Sequence, residues 1–273
     1  MNKQKVKIAW YGLHFGEEPP LVGPAQQGAG TIFFSGCNLH CVFCQNWQIS
    51  RQDRGREHST EELVQIMFDL QKQGAANIDL VTPTPWRREI REALIIAKGR
   101  GLSIPVAWNS NAYENAAGLK KLKGLIDIYL PDFKYGDDEA ALKYSRAPKY
   151  SSVAETAIRE MLAQAGGLKI ENGIAQSGVI IRHLILPNNL PNTFLALEKI
   201  AAIDKKIYLS LMSQYYPVYR AAEFPEINCS VTAKEVAAAE KKKFALGLEN
   251  GWTQESGTGA IFLPDFSKKN PFG

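Results

Sequence analysis

The chain has 273 residues, of which 45% are hydrophobic and 22% charged, a globular composition that excludes disordered and fibrous classes. Its formal charge of +4, from 32 basic and 28 acidic residues, is slight, and only Lys241-Lys242-Lys243 forms a basic triplet, read as a solvated helix face rather than a nucleic-acid or membrane surface. No apolar run could span a bilayer, and the basic start Met1-Asn2-Lys3-Gln4-Lys5-Val6-Lys7 lacks the apolar stretch of a secretory signal, so a cytoplasmic protein is expected.

The first predicted strand, Thr31-Ile32-Phe33-Phe34, runs into three closely spaced cysteines, Cys37, Cys41 and Cys44. A helix then starts at Ser59 or Thr60. Glu62 completes a Ser-x-x-Glu capping box with Ser59, Leu63, Ile66, Met67 and Leu70 recur at helical spacing, and Gly74 ends it. A second strand over 77–81 stops at Thr82-Pro83-Thr84-Pro85. Residues 88–98 are helical, 104–108 a third strand, 114–122 a short helix and 127–134 a fourth strand. A helix over 152–165, a fifth strand over 179–186, a helix over 192–203 and a sixth strand over 206–212 follow, and an Ala- and Lys-rich helix over 232–246 closes the series.

Strict alternation of strand and helix implies parallel strands joined by right-handed crossovers. Six such units fit either a barrel-like sheet or an open doubly wound one, and in both the site lies at the C-terminal ends of the strands. Asn109, Ser110, Asn111, Asp132, Lys134 and Gln214 gather there. With no linker or repeat, a single domain over 1–273 is expected. Its core covers about 30–215, with an N-terminal extension over 1–29 and a C-terminal helical closing segment over 230–273.

The segment Ser35-Gly36-Cys37-Asn38-Leu39-His40-Cys41-Val42-Phe43-Cys44 has the spacing C-x3-C-x2-C, with an aromatic before the last cysteine. In a reducing compartment such a group points to metal rather than disulfides. Three thiolates can hold three irons of a cubane cluster and leave the fourth iron open for chemistry. Structural zinc is the alternative, with His40 or the remote Cys229 as fourth ligand; zinc usually pairs two C-x2-C knuckles, and here there is one.

This spacing and aromatic resemble the signature of the radical S-adenosylmethionine superfamily. The resemblance implies an α/β fold, a partial (β/α)6 TIM-like barrel of parallel strands, with one 4Fe-4S cluster on Cys37, Cys41 and Cys44 and S-adenosyl-L-methionine on the open iron. It also implies an oxidoreductase: reductive cleavage would give methionine and a 5′-deoxyadenosyl radical that abstracts hydrogen from substrate, the cofactor carrying the hard chemistry. Phe33-Phe34-Ser35-Gly36-Cys37-Asn38-Leu39, Asn77-Ile78-Asp79-Leu80-Val81-Thr82-Pro83-Thr84, Asp127-Ile128-Tyr129-Leu130-Pro131-Asp132-Phe133-Lys134, Arg182-His183-Leu184-Ile185-Leu186-Pro187 and Leu211-Met212-Ser213-Gln214-Tyr215-Tyr216-Pro217 narrow it to the uncharacterised iron–sulfur branch related to pyruvate formate-lyase activating enzyme.

By that resemblance Asp132 and Lys134 contact S-adenosylmethionine after the fourth strand, Asn109 and Ser110 after the third, Arg182 from the fifth and Gln214 after the sixth. Where activating enzymes carry Gly-Gly-Glu, this chain has Thr82-Pro83-Thr84-Pro85, whose carbonyls and hydroxyls, Thr82 first, remain as acceptors for the methionine ammonium. The branch pattern carries glycine where Ala112 stands. No catalytic residue beyond these is assigned. His183, one step out of phase with Arg182, is expected on the other face as a packing histidine. The resemblance implies a glycyl-radical enzyme as substrate and reduced flavodoxin or ferredoxin as electron donor. Radical chemistry on a small molecule or RNA is the alternative within enzymes, although no aromatic or basic binding stripe for RNA is present. A zinc-stabilised binding module without turnover is the other. Only Cys229 remains after the first site is filled, which argues against an auxiliary cluster.

Overall fold

The computed structural model describes residues 5–24, 27–253 and 263–273. In chain order these contain β1 (Lys5–His14), α1 (Pro19–Val22), β2 (Ala29–Phe34), α2 (Trp47–Ser50), β3 (Arg56–Ser59), α3 (Thr60–Lys72), β4 (Ile78–Val81), α4 (Arg87–Gly99), β5 (Val106–Ser110), α5 (Ala116–Lys120) and β6 (Ile128–Pro131). There follow α6 (Asp138–Ser145), α7 (Tyr150–Ala165), β7 (Lys169–Glu171), β8 (Ile174–Leu184), α8 (Leu190–Ile203), β9 (Tyr208–Met212), α9 (Ala233–Ala245) and β10 (Gly251–Thr253). No helix of the described residues is long and apolar enough to cross a membrane.

One mixed sheet runs in the order β10-β9-β8-β6-β5-β4-β2-β1-β3, with β7 paired to β8. The strands β2, β4, β5, β6, β8 and β9 are parallel neighbours, the six units expected from the alternation. The sheet does not close, so the barrel is partial. Its edges differ from the sequence reading. Residues 1–29, read as an extension, supply β1, which pairs antiparallel with β2 and carries β3 on its far side. The closing segment over 230–273 is helical only through α9, and then adds β10 in parallel to β9. Its residues 254–262 lie outside the described residues, as do residues 1–4 of the extension.

The expected helices form close to where the sequence placed them, although the one over 114–122 shortens to Ala116–Lys120, and α1, α2 and α6 are additions. Ser59 caps α3 with a complete capping box, its side chain accepting from the Glu62 amide, and Leu63, Ile66, Met67 and Leu70 are buried. Successive strand residues face opposite sides. Ile32, Phe34, Leu80, Val106, Trp108, Tyr129 and Ile181 belong to the large core under the helices. Ala107, Ile128, Leu130 and Ile180 face the lumen, where Leu21 of α1, fully buried, plugs them from below. Burying one leucine in this way is worth roughly 1.5–3 kcal/mol.

Candidate active site at the C-terminal mouth

Cys37 follows β2 after Ser35 and Gly36, and Gly36 takes φ 83, a left-handed turn that suits glycine and swings the loop over the strand ends. The loop is held from several sides. Arg51 donates to the carbonyls of Cys37, at 2.6 Å, and Leu39. The amides of His40 and Val42 donate to Ser145 and Tyr144 of α6, and Trp86 Nε1 donates to the Ser35 carbonyl at 2.7 Å. Each thiol has a polar neighbour: Asn111 Nδ2 lies 3.4 Å from Cys37 Sγ, Ser145 Oγ 2.9 Å from Cys41 Sγ, and Ser50 Oγ 3.4 Å from Cys44 Sγ. Burial pushes the Cys41 thiol up to about 12 and raises Cys44 as well, and the neighbouring Cys37 adds to both rises.

A second row of polar side chains stands on the lumen face. Arg182 Nε donates to Asp132 Oδ1 at 2.8 Å, its far end donates to Asn109 Oδ1, and Lys134 Nζ donates to Asp132 Oδ2 at 2.7 Å. Burial opposes the Arg182 charge, yet Asp132, Glu17, Glu18 and Asp79 hold it firmly protonated. Burial likewise opposes the Asp132 charge, and Arg182 and Lys134 outweigh it, leaving the carboxyl below the usual range. Burial would neutralise Lys134, but Asp132 and then Cys41 keep its pKa raised, so its ammonium is within electrostatic reach of the thiol loop. Tyr150 OH ties the mouth together, its single O–H shared between the carbonyls of Asn111 and Asp132.

Asn109, Asp132, Lys134 and Arg182 are therefore brought together, and Arg182 finds the carboxylate partner that a purely structural reading would give it. The other expected residues stand apart. The third strand sits two residues later than its pattern, because Pro105 lacks an N–H and its carbonyl pairs with Ile78 instead. Asn109 and Ser110 thus end the strand itself, and the Ser110 hydroxyl accepts from the Ala112 amide within the turn. Ala112 takes φ 58, which explains a glycine preference there. Thr82, also at φ 58, donates its amide to the Asn109 carbonyl at 2.9 Å. Gln214 is half-buried beyond β9 and makes no side-chain hydrogen bond among the described residues.

His183 faces the helices. Its ring lies 2.6 Å from the Phe133 carbonyl and 3.1 Å from Thr193 Oγ1, and burial lowers its pKa to about 4. Cys229 is exposed beside Asn188, and the exposed His40 ring is engaged by Arg51 at 2.8 Å. Three acids escaped the sequence reading: Glu17, Glu18 and Asp79 stand around Arg182. Asp79 alone left a trace, one carboxylate inside the apolar run Ile78-Asp79-Leu80-Val81.

The donor set suits a cluster. Three thiols on one loop, each beside an N–H or O–H donor, match the ligation and hydrogen bonding of an iron–sulfur centre. Among the described residues no three His, Cys, Asp or Glu side chains converge tightly enough for one metal ion. A cubane spreads its thiolates over separate irons and needs no such convergence.

A three-thiol loop over the C-terminal mouth of a partial parallel barrel, backed by a buried polar row, defines a class of cofactor-binding α/β barrel proteins. The chain belongs to the radical SAM superfamily, whose family model matches residues 31–200. An uncharacterised protein of Methanocaldococcus jannaschii is 34% identical over 251 residues, covering 86% of this chain and 67% of that protein. SuiB of Streptococcus suis aligns with a TM-score of 0.56 at 12% identity, over 83% of this chain and 48% of SuiB. SuiB bound to S-adenosylmethionine gives 0.54 at 13% identity, over 84% and 48%. The chain thus spans about half the length of SuiB, and that likeness shows the fold. A domain of pyruvate-formate lyase-activating enzyme from Bacteroides vulgatus aligns at 0.46 and 13% identity, over 63% of this chain and 94% of the domain.

Proposed function

We propose that the chain is a radical SAM oxidoreductase holding one 4Fe-4S cluster on Cys37, Cys41 and Cys44 and S-adenosyl-L-methionine beside it. The observation that carries this reading is the three-thiol loop after β2, with each thiol beside an N–H or O–H group. When bound, the cluster and S-adenosylmethionine supply a reductive cleavage that yields a 5′-deoxyadenosyl radical able to take hydrogen from substrate. The chain's own residues bind and orient. Asp132 offers a carboxylate for a donor group of the cofactor, and Lys134 and Arg182 offer charged donors to a carboxylate. Asn109 fixes the Arg182 guanidinium from the neighbouring strand. Thr82, directly after β4, would accept the methionine ammonium through its carbonyl or hydroxyl, in the place of Gly-Gly-Glu.

The substrate class follows the sequence resemblance to activating enzymes: the glycyl position of a partner enzyme, with reduced flavodoxin or ferredoxin as electron donor. The test is anaerobic reconstitution followed by reduction. The protein should form methionine and 5′-deoxyadenosine from S-adenosylmethionine without substrate, slowly. An intact, reduced cluster that binds S-adenosylmethionine yet makes no deoxyadenosine with any donor would remove the reading.

A further inference from the structure

Trp10 and His14 of β1 and Phe33 of β2 face the lumen together, and Ile49 of α2 and Val81 at the end of β4 extend the same apolar groove. Gly12 keeps its floor flat, because a Cβ there would stand 2.7 Å from the Trp10 ring that lies across it. Trp10 and His14 are only half-buried. Residues 263–273 cover them, although β10, which ends at Thr253, stands at the far end of the sheet order.

The covering segment is a turn with its own internal bonds. The Asp265 amide donates to the Pro271 carbonyl at 2.9 Å, the Lys268 amide to the Asp265 carbonyl at 3.0 Å, and Ser267 Oγ to Asp265 Oδ1 at 2.6 Å. Two rings project from its base. The centroid of Phe272 lies 4.1 Å from that of His14, 5.1 Å from Trp10 and 5.4 Å from Phe33, and Phe266 lies 5.4 Å from Phe33. Its outer side, Ser267-Lys268-Lys269-Asn270, is exposed. Gln48 of α2 holds the turn to the body: the Phe266 amide donates to Gln48 Oε1 at 2.7 Å, and Gln48 Nε2 donates to Asp265 Oδ1 at 3.3 Å. Among the described residues no strand ladder joins the segment to the sheet. Aromatic anchors and one polar clamp are the contacts of a docked ligand rather than of a sheet edge.

We propose that this groove docks a turn of a partner polypeptide with aromatic side chains at its base, and that residues 263–273 occupy it as a tethered stand-in until the partner displaces them. The seated turn shows what the groove takes: two rings against Trp10, His14 and Phe33, with a backbone amide and an acceptor for Gln48. Uncovered, Trp10, Phe33, Ile49 and Val81 would form an apolar patch of the kind that marks a partner site. Gln48 belongs to the helix that follows Cys44, so displacement of the turn is felt beside the thiol loop. That the partner is a polypeptide rests on the proposed function and deepens it; the seating of the turn in the groove does not.

The probe is a fluorescein-labelled peptide of residues 263–273, titrated by anisotropy into the full wild-type chain and into the full chain carrying Phe266→Ala and Phe272→Ala. Saturable binding to the double variant is expected, with wild type weaker by about tenfold or more because its own attached turn competes. A peptide with both phenylalanines replaced by alanine should bind the double variant about tenfold more weakly, and Gln48→Ala added to that variant should weaken the original peptide by a similar factor. Where the double variant does not fold, Phe272→Ala alone gives the same comparison. No saturable binding to a folded variant, equal binding to wild type, or equal binding of the alanine peptide would overturn the proposal. A wild-type dimer in size-exclusion chromatography that Phe272→Ala dissolves would assign the groove to a second copy and overturn it too. The measurement needs neither cluster nor turnover, so its failure leaves the radical SAM reading standing, and a failure to form deoxyadenosine leaves the binding result standing.

Discussion

Arg182 Nε stands 2.8 Å from Asp132 Oδ1, and the backbones of the same two residues form the last parallel bridge between β6 and β8. The ion pair therefore continues the ladder just where its backbone hydrogen bonds run out. It fixes the guanidinium at the mouth, where Asn109 and Glu17 complete its shell.

Removing one member of this group strands the others. Asp132→Ala leaves the Arg182 and Lys134 charges buried without their carboxylate, and the expected loss is about 3–5 kcal/mol in urea unfolding of the metal-free protein. Asp132→Asn keeps the acceptor and should lose less. Equal stability of Asp132→Ala and wild type would reduce the pair to a surface-like contact.

Lys134→Ala tests the cofactor role directly. Affinity for S-adenosylmethionine, measured by calorimetry on reconstituted protein, should fall by about 1.5–3 kcal/mol, the scale of a hydrogen bond to a charged group. Iron content should hold, because Lys134 is not a thiolate. Unchanged affinity would return Lys134 to a purely structural partner of Asp132.

Iron retention separates the cysteines. Replacing Cys37, Cys41 or Cys44 by Ser should abolish it, with about four irons per chain in the wild type. Cys229→Ser should keep the full complement, since that thiol is exposed beside Asn188. One zinc and no iron after anaerobic reconstitution would contradict the cluster.

On the proposed cluster, the Ser145 hydroxyl would tune the potential. It donates to Cys41 Sγ at 2.9 Å, and a donor to a ligating sulfur stabilises the more negative reduced state. Ser145→Ala should move the cluster midpoint to a more negative potential in EPR-monitored titration, while Tyr135→Phe, which leaves that bond in place, should move it less. A midpoint identical to wild type in Ser145→Ala would refute the role.

The fully buried His183 sets a pH dependence. Its pKa is about 4 in the folded chain against 6.5 when exposed, because burial disfavours its charge. Between these values the unfolded chain binds the proton and the folded chain does not. This contribution is complete above 6.5 and is lost as pH falls towards 4, by about 3 kcal/mol in all. His183→Gln should flatten the fall in unfolding free energy over that window by about one proton. An unchanged slope would show that the ring titrates normally.

Local pattern was enough for much of this. The capping box at Ser59, the six parallel strands, the thiol spacing and the facing of Asp132 with Lys134 all depend on neighbours within a few residues or on simple alternation. The edge of the sheet does not. In β1 the pairing passes from Ile8–Phe34 to Trp10–Phe33, a bulge at Ala9. Val6 and Ile8 face the helices, while Trp10 turns to the lumen beside Phe33, and no period-2 reading survives that switch. Phe266 and Phe272 join the same lumen cluster from more than 200 residues away.

The group of acids around Arg182 has the same origin. Glu17 and Glu18 sit in Gly16-Glu17-Glu18-Pro19-Pro20, which by composition is a solvated turn. Only the packing of Leu21 under the lumen, with Trp252 of β10 donating to Glu18, carries that turn inside. Sequence alone determined the thiol triad and the alternation that sets it at the strand ends, because both are properties of short segments. Tertiary structure decided which charges share the lumen, because burial and pairing are set by distant segments whose approach no local period encodes.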